Sequence, residues 1–192
     1  MDKIVYVTHN KGKIESAKRA LSNVDFEIFE YDLEEIRSDC VKEISKAKVL
    51  QAYSLVKKPC IAMDSGFCIE ELNDFPNTFV NHTLKGIGIE GILKLMEDKK
   101  NRNCKFVECL SYYDGKELYQ FDGVHLGSLS KEILGIDTNK KWSDLWYIYI
   151  PKNYTKTLAQ MTDKERNERI LKREKESVSS FEEFANWYIK KK

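Results

Sequence analysis

Residues 4–14, IVYVTHNKGKI, join a continuous apolar run to a polar loop and then to an amphipathic segment. The run at 4–7 predicts a buried strand. The segment that follows carries Ile14, Ala17 and Leu21 on one helical face, and the partial alternation at 26–31 predicts a second strand. Strand, loop, helix and strand in this order predict an α/β fold with a right-handed crossover.

The rest of the chain continues this pattern. We predict a helix at 41–57 that ends before Pro59, a buried strand at 60–63 with Asp64, Ser65 and Gly66 at its end, a long loop at 72–88 and a helix at 89–99. Strands are predicted at 105–112, 117–129 and 146–150, with a turn at 114–115. Capping-box patterns at 162–165 and 180–183 predict the starts of two final helices.

Composition limits the classes of function. The chain has 192 residues, 32 Lys and Arg against 31 Asp and Glu, and a net charge of +1, so no strong field attracts nucleic acid or an anionic membrane. Hydrophobic residues make up 42% of it, enough for the core of a single domain over 1–192. No apolar run approaches the roughly 20 residues that span a bilayer. Five cysteines without metal-binding spacing predict a reducing cytoplasm.

Thr8, Asn10 and Lys13 form the first candidate site. They lie between a strand and a helix, where the carboxyl end of the strand faces a ligand crevice and free helix amides favour anions. A hydroxyl, an amide and an ammonium within six residues suit a phosphate, although the Walker A pattern is absent. The alternative is an ordinary polar loop.

Asp64 is the second candidate, because a carboxylate after a buried strand can hold Mg²⁺ or orient a water. The alternative is a turn or helix-capping aspartate. The acidic stretch that contains Asp39 is either a solvated face or the source of a second metal ligand. A phosphate-binding loop and a metal-capable carboxylate together favour nucleotide phosphate chemistry.

Five ordered motifs resemble the inosine triphosphate pyrophosphatase family, which removes non-standard purine triphosphates. Residues 5–13 resemble its T-G-N-x-x-K, 43–48 its E-N/I-x-x-K-A helix, and 62–76 its D/E-D-S-G-L…L-G-G-x-P-G segment. Residues 121–127 are similar to its G-x-x-x-G hairpin, and 148–161 to its F-x-P-x-G-x-x-K-T-x-A-E-M.

The resemblance implies an elongated, two-lobed mixed sheet flanked by helices around a central cleft, usually in a homodimer. It implies Mg²⁺-dependent hydrolysis of the α–β phosphate bond of a nucleoside triphosphate, giving a monophosphate and pyrophosphate. Asp64 and Lys13 would be catalytic, and Asp64 and Asp39 would hold the metal. The substrate-binding residues would be Thr8, Asn10, Lys13, Ser65, Gly66 and Arg166.

Three departures from the family pattern stand out: the first implies that a metal ligand is missing or is supplied by Asp39, and the other two, in segments that grip the purine base in the family, predict an altered base preference. Met63 replaces the acidic residue before D-S-G, and Trp146 falls where an aspartate is expected. The S-H-R motif is missing near residues 170–172. The same departures leave open a non-catalytic nucleotide-binding relative, or a structural subunit that binds no nucleotide.

Overall fold

A computed structural model describes residues 3–137, 141–172 and 179–191. Its strands are β1 (Ile4–Val7), β2 (Phe26–Phe29), β3 (Cys60–Ile69), β4 (Phe75–Asn77), β5 (Asn103–Tyr113), β6 (Leu118–Leu129) and β7 (Tyr149–Pro151). Its helices are α1 (Lys11–Ala20), α2 (Val41–Val56), α3 (Val80–Gly86), α4 (Gly88–Leu95), α5 (Asp163–Leu171) and α6 (Ser180–Lys191). Within the described residues, no helix is long and apolar enough to cross a bilayer.

The strands form a mixed sheet in the order β2-β1-β3-β5-β6-β7, with β4 paired to β3. Strand β1 is parallel to both β2 and β3, with Val5 opposite Glu27 on one side and Cys60 on the other. The β3–β4 and β6–β7 pairs are antiparallel. Because parallel neighbours need a crossover, α1 connects β1 to β2 and α2 connects β2 to β3. The predicted α/β class is confirmed.

The chain divides into two compact units, of which the first comprises Met1–Ser65, Val107–Gly123 and Val178–Lys192. Side chains alternate across its strands. Tyr6 and Ile61 share one core cluster with residues of α1 and α6, whereas Val7 and Ala62 share another with residues of α2. Each face of the sheet in this unit is therefore covered by helix.

The second unit comprises Gly66–Phe106 and Val124–Ser177. Its core gathers Phe67, Ile92, Leu145 and Tyr149 around a row of aromatic rings. Arg102 closes this core at one end, since its guanidinium donates hydrogen bonds to the backbone carbonyls of residues 96, 129 and 130. An arginine that satisfies three buried carbonyls ties α4 to the end of β6.

Some predicted elements differ from those observed. Strand β3 runs to Ile69, so Asp64 lies in mid-strand and not at a strand end. The predicted loop at 72–88 holds β4 and α3, and the predicted strand at 146–150 is a 3₁₀ turn followed by β7. Local apolar patterns could not show these differences, because pairing between strands extends β3 and creates β4.

The two predicted capping boxes also differ in outcome. The box at Thr162 and Glu165 is present and starts α5. The capping box predicted at Ser180 is wrong. Ser180 is the first residue of α6, and its buried hydroxyl makes no hydrogen bond. The Ser180 amide donates instead to Oε1 of Glu108, 2.8 Å away on β5. A distant carboxylate therefore takes the place of the local cap.

Gly66 leaves room for the backbone of β4. A Cβ at Gly66 would lie 2.8 Å from the carbonyl oxygen of Asn77, whereas a Cβ at Gly86 in α3 would meet nothing within 4 Å. We expect Gly66→Ala to lower the free energy of unfolding by about 1–3 kcal/mol because β4 must shift. The matched variant Gly86→Ala should leave it unchanged or raise it. Urea denaturation measures both, and equal effects would contradict this packing role.

Candidate active site

Asp64 faces helix α2 from the middle of β3. Successive side chains of a strand point to opposite faces, so Asp64 lies on the same face as Ala62, which packs against α2. Met63 points to the other face, into the core with Ile61. Asp64 is only 5% exposed. A carboxylate buried to this degree requires a charged partner.

That partner is Lys48 of α2. Its Nζ lies 2.6 Å from Oδ1 of Asp64, and it also donates to Oε1 of Glu35, from the acidic loop before α2. Burial lowers the pKa of Lys48, but the attraction of Asp64 and Glu35 outweighs it and leaves this pKa above its ordinary value. Lys48 is therefore a charged ammonium shared by two carboxylates.

A second ammonium approaches the same carboxylate. Lys13 lies one helical turn before the buried Ala17 on α1, and its Nζ donates to the Met63 carbonyl at 3.0 Å. The same Nζ is 3.9 Å from Oδ1 of Asp64. Burial is the largest influence on the pKa of Lys13 and lowers it, partly opposed by Asp64. The ammonium groups of Lys13 and Lys48 thus both lie within 4 Å of the Asp64 carboxylate. Two ammonium groups placed together suit an anionic ligand.

Thr8 and Asn10 shape the start of α1. Asn10 caps the helix, with its Oδ1 accepting from the Lys13 amide at 3.0 Å. The Thr8 hydroxyl accepts from the Asn10 amide at 3.2 Å. The amides of Lys11 and Gly12 belong to the first helical turn, whose donors have no partner within the helix. Such a turn beside two ammonium groups is suited to phosphate.

The remaining predicted residues of this region lie in different settings. Ser65 is half-buried, directly after Asp64. Gly66 serves β4 packing and makes no turn, because it lies within β3. Asp39 is exposed in the loop before α2. Its role as a metal ligand stays a prediction.

Lys48 was not predicted as a site residue, and Glu35 was predicted only as one member of the acidic stretch. Lys48 lies within residues 43–48, the helix motif that resembles the family, so this motif could have identified it as a site residue. Glu35 is one of several acidic residues in its loop and had no distinguishing local pattern. Their contact joins positions 13 residues apart and depends on where α2 packs.

Arg166 lies in the second unit and contacts its own segment. Its guanidinium donates to the carbonyls of Leu158, at 2.8 Å, and Met161, and to the carboxylate of Asp163. It also lies over the ring of Trp146, with its central carbon 5.1 Å from the ring centroid. These contacts fix the turn before α5. The predicted phosphate contact of Arg166 stays a prediction.

The donor set suits a hard divalent cation. Among the described residues, no three His, Cys, Asp or Glu side chains group as a metal site. Asp64 and Glu35 nevertheless hold one positive charge between them, the Lys48 ammonium, which stands in for a cation. Mg²⁺ is commonly bound by one or two carboxylates, with substrate phosphates and waters completing its shell. The residues present fit this mode.

Curated relatives match nearly the whole chain. A dITP/XTP pyrophosphatase of Saccharolobus solfataricus is 33% identical over 195 residues, covering 98% of this chain and 96% of that protein. Inosine triphosphate pyrophosphatase 2 of Trypanosoma cruzi is 32% identical, covering 92% and 89%.

Solved structures show the same fold. The Ham1 protein of Coxiella burnetii matches with a TM-score of 0.80 at 19% identity, covering 99% of this chain and all of that one. The Staphylococcus aureus Ham1 protein gives a TM-score of 0.75 at 20% identity, covering 98% and 100%. The model of the Ham1 family matches residues 4–183. From its sequence, its fold and the span of this match, the chain belongs to the Ham1 family.

Proposed function

We propose that this protein is a Mg²⁺-dependent pyrophosphatase that hydrolyses the α–β phosphate bond of non-standard nucleoside triphosphates. The observation that carries the proposal is the meeting of Lys13, Lys48 and Asp64 beside the first turn of α1. Relatives that match nearly the whole chain are named for hydrolysis of dITP and XTP or inosine triphosphate. Two ammonium groups and free helix amides suit a triphosphate, and a carboxylate suits an attacking water.

In the proposed reaction the two lysines act on the phosphates and Asp64 acts on the attacking water. Lys13 and Lys48 bind phosphate oxygens and stabilise the charge that builds on the departing pyrophosphate. Asp64 orients the water whose oxygen forms the new bond to the α-phosphorus, and the bond to the bridging oxygen breaks. The products are a monophosphate, pyrophosphate and a proton. When bound, Mg²⁺ supplies Lewis-acid polarisation of the phosphates. Asp64 would hold it with a carboxylate of the acidic loop, either Glu35 or Asp39.

The base preference is proposed to differ from that of the relatives. Trp146 stands where the family resemblance places an aspartate, and it is 6% exposed in the core of the second unit. Its ring packs at right angles to Trp142 and lies under Arg166. A buried indole cannot offer a carboxylate to a purine, so a donor–acceptor contact of the family pattern is lost.

We further propose a cytoplasmic homodimer. All five cysteines are free thiols, and burial raises the pKa of several of them, for example that of Cys68 to about 11. Unreactive thiols of this kind suit a reducing compartment. The dimer follows from the family resemblance alone, and sedimentation of the purified protein tests it.

Removal of the Asp64 charge should abolish turnover. We expect Asp64→Asn to lower kcat for dITP or XTP at least about 100-fold, because the shape is kept while the water-orienting charge is lost. Asp25→Asn, which alters an exposed aspartate paired with Lys3, is the matched control and should retain activity. Pyrophosphate release measures both. An Asp64→Asn enzyme with wild-type kcat would refute the assigned role.

Lys13 should contribute to triphosphate binding and to turnover. We expect Lys13→Met to lower kcat/KM by about 10–100-fold, because a phosphate-bound ammonium is lost and the methionine fills a similar volume. Lys18→Met on the same helix removes an exposed lysine that pairs only weakly with Glu15 and should leave kcat/KM unchanged. Steady-state assays on both variants decide the matter, and equal losses would argue against a phosphate role for Lys13.

Chelation should stop pyrophosphate release, and added Mg²⁺ should restore it. Mn²⁺ titration followed by electron paramagnetic resonance gives a second readout that does not depend on turnover. We expect Asp64→Asn to weaken Mn²⁺ binding in the presence of a non-hydrolysable triphosphate about tenfold or more. Glu35→Gln and Asp39→Asn then identify the loop carboxylate, since only the ligand should repeat this loss. Turnover that survives chelation would contradict the metal dependence.

A further inference from the structure

A row of buried polar groups lies beneath α2 in the first unit. The hydroxyl oxygens of Ser45 on α2 and Ser111 on β5 are 2.8 Å apart, and both residues are fully buried. The side-chain amide of Gln120 on β6 donates to Ser111 Oγ at 3.1 Å. At the other end, Ser45 Oγ lies 3.4 Å from the carbonyl oxygen of Ala62 on β3.

The two serine hydroxyls are the centre of the row. The Gln120 amide nitrogen can only donate and the Ala62 carbonyl can only accept, while each hydroxyl has one hydrogen to give. Ser111 Oγ accepts from the Ser45 hydroxyl and from the Gln120 amide, and the Ser45 hydroxyl also lies within reach of the Ala62 carbonyl. Loss of one member would leave a buried hydroxyl or carbonyl unpaired.

Two adjacent members of the row, Ser45 and Ala62, lie next to the proposed active site. Ser45 comes three residues before Lys48, so the two share a face of α2. Ala62 comes two residues before Asp64, on the same face of β3. The row therefore connects the helix that carries the ammonium to the strand that carries the carboxylate.

A second set of contacts joins the start of α2 to β6. The Gln120 amide also donates to the carbonyl of Lys42 at 2.9 Å, and Lys42 Nζ pairs with Oδ2 of Asp122 at 2.6 Å. The N-cap residue Cys40 makes no side-chain capping bond. The first turn of α2 is therefore held to the sheet, in addition to its local contact between Ser38 and Glu43.

We propose that Ser45, Ser111 and Gln120 are positioning residues that set the register of α2 on β3, and hence the contact between Lys48 and Asp64. The inference rests on the proposed function of that pair. The Lys48 side chain is only 8% exposed, so its surroundings leave it little room to readjust, and a small slide of α2 changes where its ammonium lies. Displacements of about 1 Å in a catalytic group can cost about 100-fold in rate.

The test compares two serine-to-alanine variants of the same helix. Ser45→Ala removes a member of the row, whereas Ser54→Ala removes an exposed hydroxyl that donates only to the Gln51 carbonyl at 2.7 Å. We expect Ser45→Ala to lower kcat about tenfold with KM changed less than about twofold. Ser54→Ala should leave both unchanged. Gln120→Leu, at a half-buried site, should repeat the Ser45→Ala result and provides a second variant if the first folds poorly.

A double-mutant cycle separates positioning from general stability. If Ser45 acts through Lys48, then Ser45→Ala should cause no further loss of kcat in a Lys48→Gln background. A merely structural role would lower Tm in Ser45→Ala while kcat, measured well below that Tm, equals the wild-type value, and this result would overturn the inference. Additive losses of kcat would also overturn it.

Failure of the proposed function has a different signature. Wild-type protein that releases no pyrophosphate with Mg²⁺ from any of a panel of ordinary, deaminated and modified nucleoside triphosphates would remove the proposed function and this inference together. An active wild-type enzyme whose Ser45→Ala and Gln120→Leu variants keep wild-type kcat would remove the inference alone.

Discussion

The ion pair between Lys48 and Asp64 is the constraint around which the first unit is arranged. Both side chains are about nine-tenths buried, and their charged atoms are 2.6 Å apart. A buried charge without its partner costs about 3–5 kcal/mol, so α2 and β3 must stay in register for the unit to be stable. The pair to which we assign a role in the proposed reaction is therefore also one that the fold must keep intact.

Alternation along β3 explains how this pair coexists with an apolar core. Met63 and Asp64 are neighbours in sequence, yet one enters the core shared with α1 and α6 and the other faces α2. A carboxylate at position 63 would lie among buried apolar side chains, including Tyr6 and Ile61. The departure of Met63 from the family pattern is thus accommodated by packing on the face opposite the site.

The site also illustrates how binding groups are prepared before a ligand arrives. Lys13 is held by the Met63 carbonyl, and Lys48 by two carboxylates. The side-chain oxygens of Asn10 and Thr8 accept hydrogen bonds from backbone amides of the same segment. The first-turn amides of α1 remain as donors, beside two mostly buried ammonium groups that protein oxygens already hold in place. Donors that are fixed before the ligand binds are the physical basis of electrostatic catalysis.

The sequence by itself determined the α/β class and the first strand–helix–strand unit, and it predicted Thr8, Asn10, Lys13 and Asp64 as candidate site residues. Hydrophobic periodicity and the polar residues after a buried strand are local features, so they can be recognised from the sequence without coordinates. The resemblance to family motifs supplied the predicted reaction and the predicted roles of these residues.

Only the tertiary structure decided the partners of those residues. Lys48, Glu35 and the Ser45–Ser111 contact join positions 13 to 66 residues apart, and Arg166 proved to be bound to its own segment. Such contacts depend on how helices and strands pack, which no short window of sequence records. The extension of β3 past Asp64 also depends on pairing, since its last residues pair with β4, and pairing, not apolar composition alone, decides where a strand ends.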